Sequence, residues 1–328
     1  MSIPNPRYKR LQQILTGVFS AVVVLGGSGL QAQDPTPDGQ LVLQEGNRKL
    51  RSQDYPGAIA DYTRALSLRK DLTAAYYNRG VAKSQLDDFS GAMADFTQAL
   101  KLKPDLLEAY QLRGLLRAKT GDQQGAVADF TRALTINPDY AEAYYYRAEA
   151  LHQLAQETRA LADYTRSLEL NPGDAYAHLN RGVVYGKLGN KPQEIEDYDQ
   201  ALKLNPNFVE AYINRGAARR SLGNRTGALA DYTEALRLKP DSAETYYNRG
   251  ATYYQEGDYT KALADYTQAL KLKPDFGEAY YNRGSIRAAR GDKEGALVDF
   301  KQAEQIFQGQ GKQAYYQRVL ERLKKLQP

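Results

Sequence analysis

The chain has 328 residues, of which 42% are hydrophobic and 25% are charged, a composition typical of a folded protein. It contains no cysteine, which excludes disulfides, thiolate catalysis, cysteine-ligated metals and the lipid-modified cysteine of a bacterial lipoprotein. The net charge of +5 comes from 44 basic and 39 acidic residues mixed along the chain without a long basic run, so it is weak evidence for a nucleic-acid partner.

Residues 1–32 have the plan of a secretory signal peptide. An apolar stretch over residues 14–25 follows a basic segment that contains Arg7, Lys9 and Arg10. This stretch is shorter than the roughly 20 residues that span a bilayer, which favours a cleaved signal over a retained amino-terminal anchor. With either outcome the basic residues stay inside and the rest of the chain is exported. The predicted location is therefore extracytoplasmic: periplasmic, lumenal or secreted.

After a short linker at residues 33–38, the sequence repeats itself eight times with a period of 34 residues. The repeats are 39–72, 73–106, 107–140, 141–174, 175–208, 209–242, 243–276 and 277–310. We call a position that recurs once in every repeat a slot. The glycine slot, for example, is occupied by Gly46, Gly80, Gly114, Ala148, Gly182, Gly216, Gly250 and Gly284. A fixed period of this length indicates an array of one structural unit.

Each period predicts a helical hairpin, with helices such as 244–256 and 260–272 joined by a short turn. In five repeats a glycine ends the first helix, where a left-handed backbone is needed: Gly121, Gly189, Gly223, Gly257 and Gly291. A large aromatic residue recurs in the second helix and is expected to fill the space between hairpins: Tyr62, Phe96, Phe130, Tyr164, Tyr198, Tyr232, Tyr266 and Phe300. The predicted fold class is all-α.

The fourth and fifth repeats depart from this pattern. The fourth has Ala148, Ala155 and Ser167 where the other repeats mostly have glycine, glycine and alanine. The fifth has Glu194 in a slot that is elsewhere mostly alanine, directly after Pro192 and Gln193. We expect the second helix of the fifth repeat to tilt so that this carboxylate stays in water, and we expect a bent or flexible joint in the middle of the array.

Residues 311–328 follow the last repeat and predict a capping helix, with apolar side chains on one face and charged side chains elsewhere. A helix lying on a membrane surface is the alternative.

The spacing of aromatic, glycine, alanine, aromatic, alanine and proline residues in 243–276 resembles the tetratricopeptide repeat, and the resemblance extends over about 270 residues. Several repeats share the letters Tyr-Asn-Arg-Gly, and with the predicted signal the chain resembles an exported bacterial array of this family. The resemblance implies an α-solenoid in which eight helix-turn-helix units form a right-handed superhelix. It also implies that the first helices line a concave groove.

An arginine stands directly before the glycine slot in seven repeats, where the family usually has an aliphatic residue. The arginines are Arg79, Arg113, Arg147, Arg181, Arg215, Arg249 and Arg283. Each of these repeats also has an aspartate in its second helix: Asp95, Asp129, Asp163, Asp197, Asp231, Asp265 and Asp299. Because a partly buried charge needs a partner, we predict seven structural ion pairs. A basic ladder for phosphates is the alternative.

An asparagine precedes the arginine in five repeats, on the face that the resemblance assigns to the groove: Asn78, Asn180, Asn214, Asn248 and Asn282. A side-chain amide donates to and accepts from a peptide backbone at once, so this ladder predicts binding of an extended segment. The ladder is interrupted at Leu112 and Tyr146. Asparagine that is merely tolerated on a solvated helix face is the alternative.

Tyrosines beside these asparagines are predicted to make the groove aromatic: Tyr77, Tyr145, Tyr247, Tyr254 and Tyr281. Tyrosine is a good anchor because it buries a large area and keeps a polar tip. Packing of these rings on neighbouring helices is the alternative. The lysine and arginine pair with which the family clamps a chaperone tail is absent from these slots.

The sequence predicts a non-catalytic scaffold or adaptor that binds other proteins or peptide segments, for instance during assembly of an envelope or membrane complex. His152 and His178 fall in different repeats without an acidic cluster at metal-binding spacing, so no metal, cofactor or catalytic residue is predicted. Membrane contact is expected only through an uncleaved amino-terminal segment. Nucleic-acid binding is the alternative function, and self-assembly by end-to-end stacking is a further one.

Overall fold

The computed structural model describes residues 38–326, which form seventeen α-helices and no strand. The predicted signal peptide and nearly all of the predicted linker lie outside these residues. The all-α prediction is confirmed: eight helical hairpins follow one another and a final helix caps the last hairpin. Along residues 38–326, none of the helices is both long and apolar enough to cross a bilayer.

The chain divides into two compact units with the boundary after Pro172. The first unit contains α1 (Gly39–Arg51), α2 (Tyr55–Leu68), α3 (Thr73–Gln85), α4 (Phe89–Leu102), α5 (Leu107–Lys119), α6 (Gln123–Ile136), α7 (Ala141–Gln153) and α8 (Glu157–Leu170). The second contains α9 (Ala175–Lys187), α10 (Lys191–Leu204), α11 (Val209–Ser221), α12 (Arg225–Leu238), α13 (Ala243–Gln255), α14 (Tyr259–Leu272), α15 (Gly277–Ala289), α16 (Lys293–Gly309) and α17 (Gln313–Leu326).

Within each hairpin, a short turn leads directly into a capped second helix. Asp88 illustrates the cap, since its Oδ1 accepts a hydrogen bond from the backbone N–H of Gly91 at 2.9 Å. The same cap begins five other second helices, at Asp54, Asp122, Asn224, Asp258 and Asp292. Because the cap satisfies a backbone donor that the helix leaves free, it fixes where the second helix begins.

In all eight hairpins, the residue two places before the second helix has a left-handed backbone. Five are glycines, with φ between +80° and +95°, and three are Gln53, Asp87 and Ala155, with φ of 63°, 59° and 56°. Alanine is strained there because its Cβ meets the following carbonyl oxygen, at a cost of about 1–2 kcal/mol.

Replacing Ala155 with glycine is therefore expected to raise the free energy of unfolding by about 1 kcal/mol, the strain relieved less the greater entropy of glycine in the unfolded chain. The matched control is Gly189→Ala, which introduces the same strain at the same place in the fifth hairpin, where φ is +80°. Urea unfolding curves of the three proteins measure both changes. A loss of stability in Ala155→Gly would contradict the expectation.

The core of each hairpin is an aromatic ring of the second helix placed against the glycine slot of the first. A Cβ on Gly46 would lie 2.7 Å from the ring of Tyr62, and one on Gly182 would lie 2.7 Å from the ring of Tyr198. All eight aromatic residues of this slot are buried. The absent side chain of glycine thus lets the two helices approach until the ring fills the space between them.

The expectation for Glu194 is wrong. Its side chain is buried, at 7% exposure, and α10 has the same 14-residue length as the other second helices before the last hairpin. Lys191 Nζ lies 2.7 Å from its carboxylate, and a Cβ on Gly186 would lie 2.7 Å from Glu194 Oε1. A glycine on the first helix and a nearby ammonium group therefore accommodate the carboxylate without a change in helix length.

The final helix α17 buries Val319 and Leu323 against the last hairpin, and Tyr315 stacks on Phe307 with ring centroids 5.0 Å apart. Its charged residues remain exposed. The cap covers the apolar side of α16, which no further hairpin follows among the described residues.

Candidate functional site

The seven predicted arginine–aspartate pairs are all present as close contacts. The shortest nitrogen–oxygen distances are 2.7 Å for Arg79–Asp95, 2.6 Å for Arg113–Asp129, 2.7 Å for Arg147–Asp163, 2.8 Å for Arg181–Asp197, 2.6 Å for Arg215–Asp231, 2.8 Å for Arg249–Asp265 and 2.7 Å for Arg283–Asp299. The aspartates are buried and the arginines are half-buried. Because these guanidinium groups are held by buried carboxylates, they do not form a basic ladder for phosphates.

Most of these arginines also reach back to the preceding hairpin. Arg113 Nη1 donates to Thr97 Oγ1 at 2.9 Å, and Arg215 Nη1 donates to Asp199 Oδ1 at 2.6 Å. In four other repeats a threonine hydroxyl accepts the same hydrogen bond from the arginine: Thr63 from Arg79, Thr131 from Arg147, Thr233 from Arg249 and Thr267 from Arg283. Each of these side chains joins three helices, two of its own hairpin and one of the hairpin before. This threonine was not among the residues predicted from the sequence, although it recurs 16 residues before the arginine.

A second cation contacts the aspartate in several repeats, one helical turn after the first. Lys83 lies 2.9 Å from Asp95, and Arg287 lies 2.9 Å from Asp299. Arg117 and Arg219 make the equivalent contacts. In the seventh repeat this place is taken by Tyr253, so that Arg249 is the cation that pairs with Asp265.

The predicted asparagine ladder divides between the two units. In the first unit, Asn78 is 1% exposed, and its Nδ2 donates to Asn47 Oδ1 at 2.7 Å. Asn47 Oδ1 also accepts from the hydroxyl of Tyr62 at 2.9 Å. The placement of Asn78 in a groove is therefore wrong, because its side chain is buried and its amide is hydrogen-bonded to Asn47.

In the second unit, the asparagines Asn180, Asn214, Asn248 and Asn282 are half-buried rather than enclosed. Asn282 Nδ2 lies 3.2 Å from the hydroxyl of Tyr247 and 3.5 Å from that of Tyr266. These contacts connect the first helix of the last hairpin with both helices of the hairpin before it.

The predicted groove tyrosines divide in the same way. Tyr77 and Tyr145 of the first unit are buried and pack on Phe96 and Tyr164 at centroid distances of 5.7 Å and 5.8 Å, so the packing alternative applies to them. In the second unit, Tyr247 and Tyr281 pack in the same way on Tyr266 and Phe300, at 5.7 Å and 5.8 Å, but they are half-buried rather than enclosed. Tyr254 is 45% exposed.

The accessible members of the predicted site thus lie on the first helices of the second unit. We define the inner face by Asn214 on α11, Tyr247, Asn248 and Tyr254 on α13, and Tyr281 and Asn282 on α15. Neighbouring first helices contact one another along this unit, α9 with α11 and α11 with α13, which brings their side chains onto one surface. The face combines amides, which bind peptide groups, with aromatic rings.

The two histidines have acidic neighbours. His152 Nδ1 lies 2.6 Å from Glu157 Oε2, and His178 Nδ1 lies 2.9 Å from Asp197 Oδ1. Within residues 38–326, no group of three or more histidine, aspartate or glutamate side chains is arranged to hold a metal ion.

The chain matches family models described as "Tetratricopeptide repeat" and "TPR repeat". The first description matches residues 73–106, 141–174, 175–208 and 243–276, and the second matches 46–87, 114–154 and 216–257. These matches run from residue 46 to residue 276 with two short gaps, more than half of the chain. No curated protein matches the sequence.

Solved structures with the same fold include a tetratricopeptide repeat protein from Parabacteroides merdae, 24% identical with a TM-score of 0.57, which covers 77% of this chain and 98% of that one. The C-terminal part of a TPR repeat-containing protein from Cytophaga hutchinsonii is 16% identical with a TM-score of 0.62, covering 72% and 97%. YrrB, described as a TPR protein with an unusual peptide-binding site, is 23% identical with a TM-score of 0.51, covering 57% and 97%. These likenesses show the fold.

Proposed function

Since the chain belongs to the tetratricopeptide repeat family, a fold of protein-interaction scaffolds, we propose that it binds an extended segment of another protein on the inner face of its second unit. The observation that carries the proposal is the placement of Asn214, Asn248 and Asn282 on successive first helices, where all three stay accessible beside tyrosine rings. The buried arginine–aspartate pairs support the array and are not part of the binding surface.

The chemistry of the face fits a peptide backbone. A side-chain amide carries two donor hydrogens and one acceptor oxygen, which match the C=O and N–H groups of an extended chain whatever its side chains are. The Asn282 amide nitrogen already contacts Tyr247 and Tyr266, so its oxygen is the group it offers to a ligand. Tyr247, Tyr254 and Tyr281 add rings with polar tips, and tyrosine is enriched among the residues that dominate binding at protein interfaces. The proposed role is an exported scaffold or adaptor that takes part in assembling an envelope or membrane complex.

The test uses a phage library of random 12-residue peptides, selected on the full chain and on a triple variant, Asn214→Ala, Asn248→Ala and Asn282→Ala. Losing three amides that each contribute about 0.5–1.5 kcal/mol is expected to weaken the selected peptides at least about tenfold, measured by fluorescence polarisation. The matched control changes three exposed amides of the same unit that lie outside the face, Gln193→Ala, Gln200→Ala and Asn207→Ala.

The control is expected to bind the selected peptides as the unchanged chain does, and melting curves of all three proteins check that the fold is retained. If the two triple variants bind equally well, or if no peptide is enriched on the unchanged chain, the inner face is not the binding site.

Export is a separate part of the proposal and depends on residues 1–32, whose basic, apolar and small segments follow the order of a signal peptide. Fusing these residues to mature alkaline phosphatase, which is active only outside the cytoplasm, is expected to give an active enzyme. An inactive fusion would place the array inside the cell.

A further inference from the structure

The first helix of the sixth hairpin, α11, carries three arginines with different surroundings. Arg215 and Arg219 both contact Asp231, at 2.6 Å and 2.9 Å. Arg220 is half-buried, and no carboxylate of the described residues lies within 4 Å of its guanidinium group. A half-buried arginine without a counter-ion keeps its guanidinium group available to a partner outside the chain.

Arg220 stands in the slot that Tyr254 occupies one repeat of 34 residues later, so it lies on the inner face. It comes one turn after Gly216, the glycine on which the Tyr232 ring packs. A Cβ added to Gly216 would lie 3.0 Å from Tyr232 Cε1. Burial raises the pKa of the hydroxyls of Tyr232, Tyr247 and Tyr266, and the positive charge of Arg220 opposes that rise in all three. The guanidinium group therefore acts electrostatically on one tyrosine from each of α12, α13 and α14.

Two further polar groups belong to the helices that follow Arg220. The hydroxyl of Tyr232 is fully buried and has no hydrogen-bond partner among the described residues. Asn248 stands 16 residues after Tyr232, the spacing at which Asn282 lies 3.5 Å from the hydroxyl of Tyr266. From the same register we expect the Asn248 amide to lie on the side of Tyr232, although no hydrogen bond joins the two side chains in the described residues.

The acidic residues of the neighbouring first helices are already neutralised. Glu244 lies 2.9 Å from Lys273, and Glu278 lies 2.7 Å from Lys312. At the far end of the face, Arg322 Nε donates to the hydroxyl of Tyr281 at 3.4 Å. The inner face therefore presents positive charge and neutral donors.

A guanidinium group surrounded by hydroxyls and amides recognises a carboxylate, because its planar fork donates two parallel hydrogen bonds to the two oxygens. A nucleic acid would require a row of unpaired cations to follow its phosphates, whereas the arginines that recur along this unit are held by buried aspartates. The face continues on both sides of Arg220, to Asn214 and to Asn248, which suits a carboxylate within a segment rather than at its end.

We propose that Arg220 binds an aspartate or glutamate side chain of the segment held on the inner face, so that the partner is an acidic extended peptide. This inference rests on the proposed function and adds the charge of the ligand to it.

The test compares two pools of ten-residue peptides, both acetylated and amidated at their ends, with random neutral residues around two fixed central positions. These positions are glutamate in one pool and glutamine in the other. Binding to the full chain is measured by fluorescence polarisation in 50 mM and 300 mM salt. The glutamate pool is expected to bind at least about tenfold more tightly at low salt, the contribution of one charge-assisted pair.

Arg220→Gln is expected to bind both pools alike, and Arg220→Lys, which keeps the charge without the fork, is expected to retain part of the preference. The matched control is Arg225→Gln, at an exposed arginine of the same hairpin whose nearest carboxylate is 3.9 Å away, and it is expected to keep the full preference. Melting curves check that each variant is folded.

Equal binding of the two pools to the unchanged chain would overturn the acidic ligand and leave peptide binding standing, whereas no binding of either pool would overturn both. A preference that survives in Arg220→Gln would overturn the role of Arg220. Two additional probes complete the test: a neutral pool with free carboxyl ends, and a 20-nucleotide single strand. Binding of either probe in an Arg220-dependent manner, with no preference between the amidated pools, would assign the site to a chain terminus or to a nucleic acid instead.

Discussion

Replacing Arg249 with alanine is expected to lower the free energy of unfolding by about 3–5 kcal/mol, because it strands the carboxylate of Asp265 inside the protein. The Asp265 side chain is only 8% exposed, and Arg249 holds both of its oxygens, at 2.8 Å and 2.9 Å. Hydrogen bonding to Asp265 raises the pKa of Arg249, so the guanidinium group remains charged at neutral pH. Urea unfolding followed by circular dichroism measures the loss.

Arg283→Ala is the matched comparison, since Asp299 keeps a contact with Arg287 at 2.9 Å. We expect it to cost less than Arg249→Ala, because the remaining cation still neutralises the buried carboxylate. The double variant Arg249→Met and Asp265→Leu, which removes both charges, is expected to recover most of the lost stability. Unchanged unfolding of Arg249→Ala would show that the pair is not structural.

Phe130→Ala is expected to destabilise the chain by about 3–5 kcal/mol through the cavity it leaves between α5 and α6. The ring is fully buried, packs against Gly114 where a Cβ would lie 3.0 Å from it, and stacks on Tyr146 with centroids 5.9 Å apart. Since Gly114 has no side chain to fill the space, the site cannot close without moving a helix.

The control for Phe130→Ala is Leu102→Ala, at an apolar side chain that is 44% exposed and loses little burial, with an expected change within about 0.5 kcal/mol. Both variants are compared by their urea midpoints. A loss below about 1 kcal/mol in Phe130→Ala would mean that the hairpin repacks around the missing ring.

Local pattern predicted the hairpins closely because the residues that begin and end each helix act within a few positions. Capping residues such as Asp258 stand directly before their helices, and the predicted helices at 244–256 and 260–272 differ by at most one residue from Ala243–Gln255 and Tyr259–Leu272. The left-handed residues that are not glycine, such as Ala155, follow from the same period, since every repeat must make the same turn.

Whether a polar side chain at a repeated position is buried or accessible could not be predicted from its spacing. Asn78 and Asn248 occupy the same place in their repeats, yet Asn78 is enclosed by Asn47 and Tyr62 while Asn248 stays accessible. The difference comes from Asn47, which stands in a slot that is aliphatic, small or acidic in the other repeats. Asparagines that occupy equivalent positions in the sequence therefore differ in their exposure to solvent.

By itself, the sequence determined the repeat, its helices, its caps and the charge pairs that recur with it, because each of these depends on residues at a fixed separation within one or two hairpins. Only the tertiary structure decided which copies of a slot are buried, how Gly186 makes room for Glu194, and that Arg220 lacks a carboxylate while Arg215 and Arg219 share one. Burial and pairing depend on what the neighbouring helix presents at the point of contact, and that is set by packing in three dimensions rather than by period.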